Sequence, residues 1–328
     1  MVSMTRRHLV VGCLALAGAS LSVRGARAES YPSRPIHVLV GGAAGSVPDT
    51  VARLIGERLA AVLGQPVVIE NRPGAGGNIA MQGLVSSTPN GYTLALATMS
   101  QAVFNSYLFA NLPYDPLRDL APISPLVTGA FALAAHPAFP ANTLSEFVGL
   151  TKAEPGKVLL GTTQLGSPPY VTASMLLRAA GIKVTLVPFR SGQDGLTAVM
   201  RGDTQVFVDA PTIMVPQVQA GKVKVLAVTG REREAELPNV PTVSEAGLSQ
   251  AQSEAWIGLV APAQTPPEII AHLNQAVRAV LTRADMQDKL RTLSFVPVTS
   301  GPEEFRQLIR EEHVRWGGII REAGLRLE

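Results

Sequence analysis

Cysteine is almost absent: the only one is Cys13. Charge is scarce as well, with 16% Asp, Glu, Lys and Arg, and aromatic residues make up 5%. No segment beyond the N-terminus reaches 18 uncharged apolar residues, which argues against a membrane-spanning helix. The formal net charge of +3 is a leader effect. Residues 1–28 hold Arg6, Arg7, Arg24 and Arg27 and no acid, so the remainder carries 24 basic against 25 acidic side chains. Such a body lacks the basic stripe that counterion release on nucleic acid requires. Catalytic signatures are missing too. There is no Walker loop, no G-x-G-x-x-G, no G-x-S-x-G elbow and no H-E-x-x-H. His37, His136, His272 and His313 are isolated from one another in sequence. No metal site and no cofactor are expected.

What is present is an apolar chain of 328 residues, 46% hydrophobic, with 30 glycines and 25 prolines in no fixed period. That composition excludes intrinsic disorder and collagen, and the length fits two domains of about 150 residues. Residues 1–28 read as an export signal. Arg6-Arg7 form the charged end, residues 9–23 the apolar stretch, and Ala26-Arg27-Ala28 an A-x-A cleavage site. Thr5-Arg6-Arg7-His8-Leu9 leaves a twin-arginine signal and an ordinary Sec leader both open. Val10-Val11-Gly12-Cys13 resembles a lipoprotein box, but too few apolar residues precede it. Cleavage after Ala28 removes Cys13, and the cysteine-free remainder suits the oxidising periplasm. It also excludes thiol catalysis and thiolate metal sites.

Beyond the leader, strands and helices alternate, which predicts an α/β fold. Strands are predicted over 36–40, 67–69, 92–97, 131–135, 158–161, 184–187, 205–208, 222–228 and 256–260. Helices are predicted after Pro48, from Asn78 to about Ser86, from the capping box Thr143-Leu144-Ser145-Glu146, over 170–180, around 196–201, and over 211–220, 267–281, 286–293 and 302–323. Residues 113–125 read as proline-rich and irregular. Ligands of doubly wound sheets bind beyond the carboxyl ends of strands. Loops rich in Gly, Ser and Thr occupy those ends in both halves, which points to a cleft between domains.

The residues at those loops carry two readings each. Gly41-Gly42-Ala43-Ala44-Gly45-Ser46 precedes a helix start, where unpaired N–H groups and positive partial charge suit a carboxylate or phosphate. Taken alone it reads better as a tight strand-to-helix turn that binds nothing. Asp49 pairs naturally with the helix dipole. Gly77 and Asn78 end a second glycine loop, with Asn78 either capping or reaching a ligand. Thr98, Ser100 and Gln101 end a strand with three polar side chains. Gly166 and Ser167 offer a backbone donor and a hydroxyl. Arg190, after Phe189, suits an anion or plain solvent. Asp209 suits a ligand donor, a bound water, or capping of the next helix.

Several longer motifs raise a family resemblance. They are Asp49-Thr50-Val51-Ala52-Arg53, Val68-Ile69-Glu70-Asn71-Arg72-Pro73-Gly74-Ala75-Gly76-Gly77-Asn78, Asn90-Gly91-Tyr92-Thr93-Leu94, Val187-Pro188-Phe189-Arg190, and Pro238-Asn239-Val240-Pro241-Thr242-Val243-Ser244-Glu245-Ala246-Gly247. From Tyr31 to the C-terminal helix the chain resembles the periplasmic receptors of tripartite tricarboxylate transporters, the Bug family. The resemblance implies a type II periplasmic binding protein fold. It has two doubly wound domains with an interdomain ligand cleft, the first from 29–128 and a return segment 251–328, the second from 129–250. It implies a small carboxylate held by backbone amides and bridging waters, and a monomeric, non-catalytic receptor. Its partners would be a large and a small integral membrane subunit. The residues expected at the cleft are Gly42, Ala43, Ala44, Gly45, Ser46, Asp49, Gly77, Asn78, Thr98, Ser100, Gln101, Gly166, Ser167, Tyr170, Phe189, Arg190 and Asp209. The chain departs from the family pattern at three places. Gly41-Gly42 stands where a proline and an aromatic are usual, Ser46 where a glycine is, and Tyr170 where a histidine is common. A sensor that signals to a membrane kinase, and an enzyme with Asp49 or Asp209 as base, are the alternatives.

Overall fold

The computed structural model describes residues 31–322 and 324–327; the leader and its cleavage site lie outside the described residues. Two sheets form the frame. The first contains β1 (Ile36–Val40), β2 (Val67–Asn71), β3 (Thr93–Thr98) and β4 (Leu120–Ala130). The second contains β5 (Ala132–Ala135), β6 (Leu159–Thr162), β7 (Thr185–Pro188), β8 (Val206–Asp209) and β9 (Lys224–Val228). The chain then returns to the first sheet with β10 (Glu254–Pro262) and β11 (Val296–Pro297). Strand orders are β11-β4-β10-β3-β1-β2 and β7-β6-β8-β5-β9. In each sheet the βαβ units are parallel, and β10 or β5 runs antiparallel to its neighbours.

Alternation along the strands explains why helices cover both faces. On β1, Ile36, Val38 and Val40 enter one core, with Leu39 in the other. On β5, Leu133 and Ala135 face one side, with Ala132 and Ala134 on the other. A sheet buried on both faces needs such apolar runs. In the first lobe, α1 (Val47–Leu63), α8 (Pro267–Leu281) and α9 (Ala284–Thr292) pack against one face. The other is covered by α2 (Asn78–Val85), the short α3 (Asn105–Leu108) and α10 (Pro302–Glu322). The second lobe carries α4 (Leu144–Ala153), α5 (Pro168–Ala180), α6 (Gly192–Arg201) and α7 (Pro211–Gln219). The capping box at Thr143 forms, with its hydroxyl accepting from Glu146 N at 3.1 Å.

Two expectations need correction. Part of the proline-rich stretch is strand: β4 carries Pro122 and Pro125. The register slips beside both, between Ile257 and Gly258 and between Leu259 and Val260. On the other side β11 pairs only with Val127 and Thr128. Bulges and an unpaired edge are where a strand tolerates proline. The end of β3 is also more ordered than read. Thr98 N and Oγ1 donate to Gln101 Oε1 at 2.9 and 2.7 Å, which turns the chain into a π-helical turn at Ser100–Phe104.

The chain passes between the sheets twice, at Phe131 and through residues 229–253. Thr229 ties the two crossings together. Its Oγ1 accepts from Phe131 N at 2.9 Å and donates to Ser253 O at 2.7 Å. Its N–H donates to Phe131 O at 2.8 Å.

Candidate functional site

A cavity of about 480 Å³ lies between the two sheets, at the ends of strands from both. Glycine allows the closest approaches in its first wall. A Cβ on Gly41 would sit 2.7 Å from Gly77 Cα, and one on Gly42 would sit 2.4 Å from Ser46 Oγ. The loop 41–46 is fixed from behind by Asp49. Its carboxylate accepts from Gly45 N at 2.8 Å and Asn71 Nδ2 at 2.9 Å, and pairs with Arg53 at 2.9 Å. Asn71 also donates to Gly42 O at 3.0 Å. Burial works to raise the Asp49 pKa, but Arg53, Gly45 N–H and Asn71 outweigh it and hold the carboxyl below its usual range. Asp49 is therefore a loop fastener and is absent from the cavity lining. Ser46 makes no cap bond to α1, and among the described residues its buried Oγ has no hydrogen-bond partner. At the start of α1 the N–H groups of Val47 and Asp49 have no partner inside the helix either; Pro48 has none to offer, and Thr50 N donates to Ser46 O at 2.9 Å.

The second glycine loop is built the same way. Gly76 O accepts from Gln101 Nε2 at 2.8 Å and Asn105 Nδ2 at 3.2 Å. Gly77 lines the cavity, but Asn78 turns inward, accepting from Asn105 at 2.6 Å and Tyr114 at 3.3 Å. Asn78 thus satisfies buried donors and takes no place in the cavity wall. Thr98, Ser100 and Gln101 do line it, and Ser100 Oγ reaches across to Gly166 O at 3.1 Å.

In the second lobe the start of α5 is already occupied. Ser167 Oγ accepts from Tyr170 N at 3.3 Å and lies 2.8 Å from Thr163 Oγ1. Pro168 and Pro169 have no N–H to offer. Tyr170 points away and packs against the first lobe's core, where burial raises its phenol pKa. Phe189 is likewise outside the lining, held against Gly161. Arg190 is exposed at the rim, with its carbonyl accepting from Gln164 Nε2 at 3.2 Å. Among the described residues its guanidinium has no ion pair.

The start of α6 is different. Ser191 caps Asp194 N at 3.2 Å, which leaves the N–H groups of Gly192 and Gln193 without an intrahelical partner. Asp209 sits against this turn: a Cβ on Gly192 would lie 2.3 Å from its Oδ2. Asp209 is 6% exposed, and its Oδ1 accepts from Ala210 N at 2.7 Å. Burial pushes its carboxyl up to about 7.

The structure brings together Gly42, Ala43, Ala44, Gly45, Ser46, Gly77, Thr98, Ser100, Gln101, Gly166, Ser167, Arg190 and Asp209. It leaves Asp49, Asn78, Tyr170 and Phe189 out of the wall. Sequence reasoning missed Ser191, Gly192 and Gln193, although Ser191 with Asp194 three residues on is a helix-start signature. It also missed the apolar walls from Phe131, Ile213, Trp256 and Phe295, which no local pattern marks. Among the described residues the lining contains one carboxylate, one Arg and no His, Lys or Cys. Among the described residues no group of three or more His, Cys, Asp or Glu could hold a metal ion. The wall is suited to donating hydrogen bonds to an anion while apolar surface encloses the rest of it. No helix of the described residues is long and apolar enough to cross a membrane.

The family model described as "Tripartite tricarboxylate transporter family receptor" matches residues 51–325. The protein BugT of Bordetella pertussis is 29% identical over all of both chains. Among solved structures, MatC from Rhodopseudomonas palustris with bound malate is 34% identical. It superposes with a TM-score of 0.81 over 88% of this chain and 100% of its own. An R. palustris protein solved with adipate is 28% identical, with a TM-score of 0.85 over 90% of this chain and 100% of its own.

Proposed function

The chain belongs to the tripartite tricarboxylate transporter receptor family, and from that membership we propose that it is a periplasmic solute receptor. It encloses a small carboxylate between its lobes and delivers it to a large and a small integral membrane subunit. It carries out no chemistry on what it binds. The observation that carries this reading is the unused donor set facing one cleft. Ser46 Oγ and the N–H groups of Val47 and Asp49 come from one lobe, and those of Gly192 and Gln193 at the start of α6 from the other. Helix starts attract an anion without any net positive charge on the protein. The two R. palustris relatives solved with malate and adipate support a carboxylate as the class of ligand. The crossings at Phe131 and 229–253 are the hinge about which the lobes open to admit it, and Arg190 at the rim draws it in. Export through the leader and cleavage after Ala28 place the receptor in the periplasm.

A thermal-shift screen of the protein starting at Glu29 tests this with malate, adipate, lactate and benzoate. An acid at one hundred times its dissociation constant is expected to add about 2.7 kcal/mol of stability. A shift with sugars or amines and none with the four acids contradicts the reading.

A further inference from the structure

The donor set just described contains one group of the wrong sign. Asp209 lines the same cavity and lies against the same turn of α6. Its Oδ1 takes the Ala210 N–H, and Oδ2 is left facing Gly192. Among the described residues no cation pairs with it. β5 faces it with Ala132, α6 with Gly192 and α7 with Ile213, none of them titratable. The ionisable groups at that end of α6 are engaged or remote in contact: Asp194 is held by Ser191 at 2.8 Å, and Arg190 makes no ion pair with Asp209. Asp49, behind loop 41–46 and outside the cavity wall, is paired with Arg53 at 2.9 Å. A bound carboxylate at the start of α6 would put two anions on one helix N-terminus, one of them the buried Asp209. Two carboxylates that share a site do not both stay ionised; one keeps its proton.

Resting on the proposed carboxylate-receptor function, we infer that Asp209 contacts the ligand as the neutral acid and donates its proton to a ligand carboxylate oxygen. Where Asp209 is ionised in the free protein, binding therefore takes up one proton from a hydronium ion or buffer acid: the Asp209 O–H bond forms and the donor's bond to that hydrogen breaks. The ligand keeps its charge, and Asp209 gives up its own. Burial prepares the group for this, since it already titrates at about 7 in the free protein. Asp209 also becomes a selecting residue. It favours ligands with a hydrogen-bond acceptor at this point of the cleft, and its neutral form removes the repulsion that would otherwise exclude anions.

Calorimetric titration with malate, adipate, lactate and benzoate at pH 6.5, 7.5 and 8.5 tests the inference. It is run in two buffers of different ionisation enthalpy to count protons. All four acids are ionised throughout this range, so their own titration does not intrude. For a site that binds only with Asp209 protonated and titrates at about 7, affinity falls roughly 25-fold from pH 6.5 to 8.5. Uptake near one proton per ligand is expected at the upper end. Asp209→Asn keeps the acceptor for Ala210 N–H and replaces the O–H by an N–H. It is expected to bind with no pH slope and no proton uptake. Glu234, in the 229–253 segment, also titrates at about 7, through burial and the nearby Glu254. Asp209→Asn leaves that pair intact, so a slope that survives the substitution overturns the inference. A flat wild-type profile with clear binding overturns it as well, while the receptor reading stands. Absence of binding by all four acids at every pH overturns the receptor reading, and the inference with it.

Discussion

Replacing Gly77 by alanine is expected to cost about 3 kcal/mol of stability and to abolish ligand-induced stabilisation. Two effects add. Gly77 has φ +88°, a left-handed conformation that costs an L-residue about 1–2 kcal/mol. The new Cβ would also lie 2.1 Å from Gln101 Nε2. Gln101 cannot yield without loss, because Nε2 donates to Gly76 O and Oε1 accepts twice from Thr98. Breaking that buried network adds about 1–3 kcal/mol and moves the wall formed by Thr98 and Gln101. Gly45→Ala is the control, since Gly45 has φ +78° with no atom within 4 Å of a built Cβ. It should lose only the conformational part. Urea unfolding of the two variants measures the difference. Equal losses would show that the Gln101 network does not hold the site.

Asp209→Asn is expected to make the ligand-free protein more stable at pH 8, by up to about 4 kcal/mol. The sign follows from where each state holds its proton. Unfolded, the carboxyl ionises near 3.8; folded, burial delays this to about 7. Between these values the unfolded state has released a proton that the folded state keeps. Stability from this group therefore falls as pH rises from 3.8 to about 7, and the whole loss is present above that. Asparagine has no such dependence. The gain of the variant should be full at pH 8 and shrink toward zero near pH 4, as read by urea midpoints across the range. A gain that does not change with pH would mean that Asp209 is not buried as an ionising group.

The strand-loop-helix frame was legible in the sequence because its signals are local. Gly64 and Gly181 stop α1 and α5 in the left-handed conformation, and apolar alternation marks β1 and β3. β4 was not legible, because Pro122 and Pro125 are tolerated only through bulges against β10 and a nearly unpaired edge, which are properties of the assembled sheet. The glycine loops of the site were legible for the same reason as the frame. Asp49 and Asn78 were not separable from ligand-binding residues, since a polar side chain at a helix start serves its own loop or a ligand with the same chemistry. Only the folded positions of Asn71, Arg53, Asn105 and Tyr114 decide it. Tyr170 turns away behind Pro168 and Pro169, and Ser167 consumes the N–H that might have faced the cavity. Phe131, Trp256 and Phe295 meet there from distant parts of the chain, so spacing could not announce them.

A crystal structure with one of the four acids bound bears most directly on the grip of both lobes on a carboxylate. The expected electron density lies in the cavity between loop 41–46 and the start of α6. One carboxylate oxygen should be within hydrogen-bond distance of main-chain N–H groups there, and another of Ser46 Oγ or a water that Ser46 holds. Density outside this cavity, or a carboxylate met only by Arg190 and other cationic side chains, would contradict it.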